Sequence, residues 1–178
     1  MNKSVIRSLI VITLVAVVLL AATFGLQSLA VKNARAEHLR IMQTLLPGST
    51  EFAVEPYTGE DANVRSVHKA DNGFVIETVT QGYADEIVVL VGVDKDGSVT
   101  GLVVKEMHET VGLGMNGLLD WEFLAQFLKT SGEAEVGTNV DALTGATVTS
   151  KAITRCVNSA VAVVTGADAD SGATSWGG

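Results

Sequence analysis

Cysteine is almost missing from this chain: Cys156 is the one thiol in 178 residues. No disulfide can form within the chain, and a disulfide-built scaffold is excluded. A lone thiol leaves the redox compartment open. Basic side chains are scarce once the first 40 residues are passed. Residues 41–178 hold 7 Lys and Arg against 19 Asp and Glu, a net charge of −12. A body that acidic repels phosphate backbones, so nucleic acid is excluded as a partner. Histidine is limited to His38, His68 and His108, none at metal-site spacing, so no metal is expected. The Gly-x-x-x-x-Gly-Lys frame of a P-loop is also absent, which removes nucleotide triphosphate hydrolysis. At this length one ordinary domain with an appendage fits, and two enzymatic domains do not.

What the chain has in plenty is apolar residues, 47% of the total, and they are concentrated at the start. Residues 8–31 contain no charged side chain. These 24 residues exceed the ~20 that a helix needs to cross a hydrocarbon core. They also exceed the ~7–15 residues of a signal-peptide apolar region. An Ala-x-Ala string stands at 34–36, but it follows the charged Lys32. The segment therefore reads as a retained single-span anchor. Lys3 and Arg7 on one side balance Lys32, Arg35 and Arg40 on the other, so charge leaves the orientation open.

Beyond the anchor, Leu39, Met42, Leu45 and Leu46 recur near helical spacing until Pro47-Gly48 stops them. A connecting helix is expected over 32–48. The period then changes. Residues 74–80, 86–93 and 98–107 are rich in Val, Ile and Thr and read as strands. Asp94-Lys95-Asp96-Gly97 between the last two reads as a hairpin turn. A helix is expected over 118–128, with Leu119, Phe123, Leu124, Phe127 and Leu128 on one face. Another is expected over about 150–164, where Ile153, Cys156, Val157, Ala160, Val161 and Val164 make an apolar stripe. Strands followed by helices without regular alternation predict an α+β domain. Its limits are expected at 49–165, after a basic segment at 1–7, the span at 8–31 and the connecting helix. A Gly, Ala, Ser and Asp-rich tail occupies 166–178.

Two strings could carry chemistry. The first runs Asp141-Ala142-Leu143-Thr144-Gly145-Ala146-Thr147-Val148-Thr149-Ser150, directly before the last expected helix. Hydroxyls crowd a helix start, where backbone N–H groups are unpaired and the dipole favours negative charge. Such a junction can receive a phosphate, with Lys151 nearby. From the residues alone, a plain cap by Thr149 or Ser150 is the simpler account.

The string Asp-x-x-Thr-Gly-Ala-Thr-x-Thr, Asp141 to Thr149, resembles the flavinylation motif of the FMN-binding domain family. The resemblance implies covalent FMN, joined by a phosphoester and attached by a dedicated flavin transferase. It makes Thr149 the acceptor (a phosphoryl threonine), with Asp141, Thr144, Gly145, Ala146 and Thr147 as the recognition element. No catalytic triad of the chain's own is implied. A look-alike string over 168–176 has Trp176 at the acceptor position and no apolar helix after it, so it is read as a decoy.

The second string is His108-Glu109-Thr110-Val111-Gly112-Leu113-Gly114-Met115-Asn116. Read alone, it is a strand-to-helix turn. It is similar to the family's Glu-Thr-x-Gly-Leu-Gly segment, with Val111 where proline is more usual. The resemblance sets Glu109, Thr110, Leu113 and Gly114 against the flavin, and glycines at 112 and 114 permit close backbone approach. Leu45-Leu46-Pro47-Gly48, Gly82-Tyr83 with Ile87, and Gly92-x-Asp94-x-Asp96-Gly97 also match in order, so the likeness covers about 41–164.

Among the family's branches, the short domain behind one anchor is most similar to the G subunits of the Rnf electron-transport complexes. The C subunits of the Na⁺-pumping NADH:quinone reductases are the near alternative, and a stand-alone anchored flavoprotein is a third. The likeness implies an electron-carrying member of an ion-translocating ferredoxin:NAD⁺ oxidoreductase. Its partners would be the other membrane subunits of the Rnf complex. The likeness also implies an FMN domain outside the cytoplasm, on the cytoplasmic (inner) membrane.

Overall fold

The computed structural model describes residues 3–108 and 120–167. The expected site segment Glu109–Gly114, the start of the helix expected at 118 and the decoy string in the tail fall outside the described residues. The chain divides into two compact units, Met1–Arg40 and Ile41–Gly178.

The first unit is helical from Lys3 onward and belongs to α1, Lys3–Leu45. The sequence predicts an anchor and a separate connecting helix here, and a single helix is found. The join at 32–36, Lys-Asn-Ala-Arg-Ala, holds neither proline nor glycine and most of its residues are strong helix formers, so nothing ends the helix there. The uncharged residues 8–31 all lie in α1. The side chains of 8–11, 24–26, 28 and 29 are outside those described. Among the described residues, no helix is long and apolar enough to cross a membrane.

The second unit is an α+β domain built on a five-stranded antiparallel meander. Its strands are β1 Ala53–Glu55, β2 Val64–Ala70, β3 Gly73–Gln81, β4 Glu86–Asp94 and β5 Val99–Met107, ordered β1-β2-β3-β4-β5. β3, β4 and β5 fall where the apolar β-branched runs predicted them. The Asp94–Gly97 turn is also as expected. Gly97 N–H donates to Asp94 C=O at 3.1 Å, and Gly97 sits at φ +84, where glycine is favoured. The Asp94 carboxylate accepts the N–H groups of Asp96 and Ser98. β1 and β2 carry no such runs: β1 is three exposed residues, and β2 reads Val-Arg-Ser-Val-His-Lys-Ala, with a bulge near Ser66.

Two helices, α2 Trp121–Ala125 and α3 Thr147–Thr165, follow the sheet. α3 lies on one sheet face. Its Ile153, Cys156, Val157, Ala160 and Val161 pack against Ile76, Ile87, Val89, Val91 and Val93. α3 starts three residues before the helix expected from sequence and ends on Gly166, which takes the left-handed conformation at φ 70. α2 is shorter than the helix expected over 118–128. It is capped by Asp120, whose carboxylate accepts Phe123 N–H at 2.9 Å. The following N–H groups, from Gln126 to Leu128, bond three residues back, which tightens the chain into turns rather than α-helix. Phe127 is nonetheless wholly buried, edge-on to Phe123 at 5.4 Å.

The opposite sheet face takes the last turn of α1, where Met42, Leu45 and Leu46 cover Val75 and Leu90. The approach is close. Thr100 Oγ1 donates to Leu45 C=O at 2.6 Å, and a Cβ on Gly92 would stand 2.3 Å from that same oxygen. Glycine at 92 is what lets the helix end descend onto the strand.

Candidate functional site: the amino end of α3

Three features position the amino end of α3. Gln126 holds the start of the Asp141 string: its Oε1 accepts Asp141 N–H at 2.7 Å, and its Nε2 donates to Asp141 C=O at 3.4 Å. Leu143, buried in the main core, pins the middle. A turn then closes, with Ala146 N–H donating to Leu143 C=O at 3.0 Å and Gly145 at φ +74. Positive φ at the third position of such a turn is why glycine stands there.

The buried Ser150 hydroxyl locks the turn to the helix. It accepts Leu143 N–H at 3.0 Å and donates to Ala146 C=O at 2.9 Å. The plain-cap account of the sequence therefore does not hold. The N-cap is Ala146, with no side-chain cap bond, and Thr149 and Ser150 lie inside the helix. Among the described residues, no hydrogen-bond acceptor reaches the N–H groups of Thr147, Val148 and Thr149. An open helix amino end of this kind holds three donors and the positive dipole end ready for an anion.

The hydroxyls beside these donors differ sharply. Asp141, Thr144, Gly145 and Thr147 are exposed, whereas Ala146 is 6% and Thr149 1% exposed. The periodicity held a signal for this that the motif obscured. Thr149 stands four residues before Ile153 and seven before Cys156, so it continues the apolar stripe. Its side chain belongs to the face that meets the core, and Thr147 belongs to the face that meets solvent.

α3 runs the length of the sheet. Cys156 Sγ lies 4.0 Å from Ile87 C=O at the start of β4, and Thr165 lies against Gly97 in the turn that follows β4. Its amino end is therefore at the β3–β4 turn, where Tyr83 is 73% exposed. Met107, opposite Ile87, also ends β5 there. His108 Nδ1 approaches Asp85 Oδ2 to 4.0 Å, with both side chains exposed.

Cys156 plays no nucleophilic part. Burial pushes its thiol from the ordinary 9.0 up to about 12, and a hydrogen bond with Thr78 offsets this only partly. It stays protonated at physiological pH. Among the described residues, no group of three or more His, Cys, Asp or Glu side chains could hold a metal ion. The amino end of α3 is thus suited to a phosphate ester. Among the described residues nothing occupies the donors, a hydroxyl is exposed beside them, and Gly145 brings no side chain into the approach.

Fold and site together define the class. The model of the FMN-binding domain family matches residues 82–162, which include β4, β5, the Asp141 string and most of α3. A relative from Methanosarcina acetivorans, the G subunit of an ion-translocating oxidoreductase complex, is 33% identical over 174 residues, or 88% of this chain and 91% of that one. The chain belongs to the family of these G subunits. The G subunit of a Na⁺-translocating ferredoxin:NAD⁺ oxidoreductase complex from Acetobacterium woodii is 37% identical over 100 residues, covering 51% of this chain and 48% of the relative. A further G subunit, of an ion-translocating oxidoreductase complex from Escherichia coli O157:H7, is 33% identical over 138 residues, covering 72% and 64%. The chain thus spans about half to two thirds of two of these relatives and nearly all of the third.

Proposed function

We propose that this chain is a membrane-anchored electron carrier that holds one FMN covalently on the threonine-rich amino end of α3. It would work as the G-type subunit of an ion-translocating ferredoxin:NAD⁺ oxidoreductase. The observation that carries the reading is the α3 amino end, uncapped among the described residues, where no acceptor among them reaches three N–H donors beside an exposed threonine hydroxyl. The bound FMN would supply the capacity to take up and release electrons. The chain's own residues would fix the phosphate and orient the ring.

The acceptor suggested by the motif is Thr149, and its burial argues against it. A transferase must bring an activated phosphoryl group to the hydroxyl, and a side chain 1% exposed is out of reach unless the first turn opens. Thr147 is exposed, is the first helical residue and stands next to the free N–H groups. We therefore assign the phosphoester to Thr147, with Asp141, Thr144, Gly145 and Ala146 as the frame that presents it. Glu109, Thr110, Leu113 and Gly114 would contact the ring. They follow β5 in sequence, and β5 finishes at Met107, opposite Ile87.

Anchoring by residues 8–31 is supported by the described side chains of α1. Ile12, Leu14, Val15, Val17, Val18, Leu19 and Leu20 are each about half or more exposed. Near-consecutive positions cover every side of a helix, so this stretch is apolar all round, as a lipid-facing helix is. At ~1.5 Å per residue the uncharged stretch also exceeds the ~30 Å hydrocarbon core. The acidic domain would lie outside the cytoplasm, with the other subunits of the complex as electron partners and a flavin transferase for maturation.

The test is coexpression of Thr147→Val and Thr149→Val proteins with a flavin transferase, followed by intact mass and in-gel flavin fluorescence. The adduct should disappear from Thr147→Val and persist on Thr149→Val. The reverse pattern moves the acceptor to Thr149, and no adduct on the unaltered chain ends the covalent reading.

A further inference from the structure

One side chain fastens the turn between β2 and β3 to the connector that follows α1. Asn72 Nδ2 donates to Pro47 C=O at 2.8 Å, and Asn72 Oδ1 accepts the hydroxyl of Ser49, a buried residue. Ser49 N–H in turn donates to Leu46 C=O at 3.3 Å, and Leu46 is buried in the cluster with Val75 and Leu90. The Asn72 amide thus closes a clamp between the turn and the end of α1. Asn72 itself is exposed, as is Asp71 before it.

Glycine follows Asn72, and the packing requires it. A Cβ on Gly73 would overlap the Val93 carbonyl oxygen and Asp94 Cα, both main-chain atoms that cannot rotate away. An asparagine followed by glycine is the pairing most prone to lose its amide, because no Cβ shields the next main-chain nitrogen from the asparagine Cγ. While the clamp is closed, that attack is held off. The amide is bonded at both ends, and Gly73 is buried in register opposite Ala70. The amide must leave Pro47, and the turn must open, before the two atoms can meet.

We propose that Asn72 is a site of spontaneous deamidation gated by this clamp, and that the conversion locks the clamp open. In the opened turn the Gly73 nitrogen attacks Asn72 Cγ and the Cγ–Nδ2 bond breaks. Nδ2 leaves as ammonia, taking the proton from the Gly73 nitrogen. Water then hydrolyses the cyclic imide at either carbonyl, leaving aspartate or isoaspartate. Neither product can restore the bond to Pro47. A carboxylate has no N–H to donate, and it sets a negative charge against the carbonyl oxygen. Isoaspartate also adds a methylene to the main chain of the turn, and turn length fixes hairpin register. The proposal does not depend on the flavin reading.

Trypsin places Asn72 in the peptide 70–95 and the chain's other Asn-Gly pair, Asn116-Gly117, in the peptide 106–129, so mass mapping reads them apart. The full-length chain is incubated at mildly alkaline pH, folded in neutral detergent and in parallel unfolded in guanidinium chloride. Conversion at Asn72 is expected in both, more slowly in the folded chain. Ser49→Ala should speed the folded reaction about fivefold, the gain in opened turn when one ordinary hydrogen bond is lost. Asn72→Asp needs no incubation and carries a second test, since it should melt below the unaltered chain. Absence of conversion in the folded chain, while the unfolded chain converts, overturns the proposal. An unchanged rate in Ser49→Ala overturns it too. So does an Asn72→Asp protein that melts with the unaltered chain, because the clamp would then not depend on the amide.

Discussion

The hydroxyl of Ser150 reaches back over the first turn of α3 to accept the backbone N–H of Leu143 at 3.0 Å. The same oxygen donates to Ala146 C=O at 2.9 Å, so one buried side chain fixes both ends of the Leu143–Ala146 turn. It does so without capping the helix, so no acceptor among the described residues reaches the N–H groups of Thr147, Val148 and Thr149. Ser150→Ala should strand a buried donor and cost about 1–3 kcal/mol, read from urea unfolding. Flavin incorporation should slow as well, because Thr147 is then presented on a looser turn. Unchanged stability and incorporation would show that the turn holds itself.

Cys156 gives a prediction in pH. Its folded pKa is raised from 9.0 to about 12 by burial. Below 9.0 both folded and unfolded chains keep the thiol proton, so the group costs nothing. Between 9.0 and about 12 the unfolded chain releases the proton and the folded chain does not, so stability falls as pH rises through that window. Cys156→Ala should lose this part of the alkaline decline, seen as a shallower slope of unfolding free energy above pH 9.0. At neutral pH, iodoacetamide should label the thiol only after denaturation.

Gly92 gives a prediction in packing. A Cβ there would stand 2.3 Å from Leu45 C=O and 2.7 Å from Thr100 Oγ1. The first of these is backbone and cannot rotate away, so α1's last turn must lift from the sheet. Gly92→Ala should cost about 1–3 kcal/mol, the range for an overpacked core. Thermal unfolding measures it, and a neutral result would mean the helix end is not held against β4.

The central sheet was legible because β3, β4 and β5 are runs of Val, Ile and Thr, and the Asp94–Gly97 turn announced the hairpin. β1 and β2 were not, since their charged and exposed residues are held by strand pairing, which leaves no mark on local pattern. The Asp141 string was legible as a site, but not in its exposure. Hydroxyls at 144, 147, 149 and 150 look alike in sequence. Folding separates them: Ser150 becomes a brace, Thr149 a core-facing residue, and Thr144 and Thr147 stay exposed, with Thr147 the one inside the helix. Gln126 was missed because its role rests on a contact 15 residues away, with Asp141.

The last prediction concerns the membrane. Residues 8–31 carry no charge, while residues 41–178 carry a net charge of −12. Apolar side chains surround α1 over residues 12–20, as they do in a lipid-facing helix. Basic residues flank the stretch on both sides, so charge leaves the orientation open, and the reading proposed above puts the domain outside the cytoplasm. Protease added to intact spheroplasts should therefore digest the FMN-binding domain and leave a short protected fragment holding residues 8–31. Substituting lysine at both Val17 and Leu20 places two charges at mid-span, where each is expensive. That protein should no longer fractionate with the membrane, although its domain should still take up flavin when the transferase is supplied in the same compartment. Protection of the domain in intact spheroplasts, with digestion only after lysis, would reverse the orientation. Unchanged membrane fractionation of the double-lysine protein would mean that residues 8–31 are not the anchor.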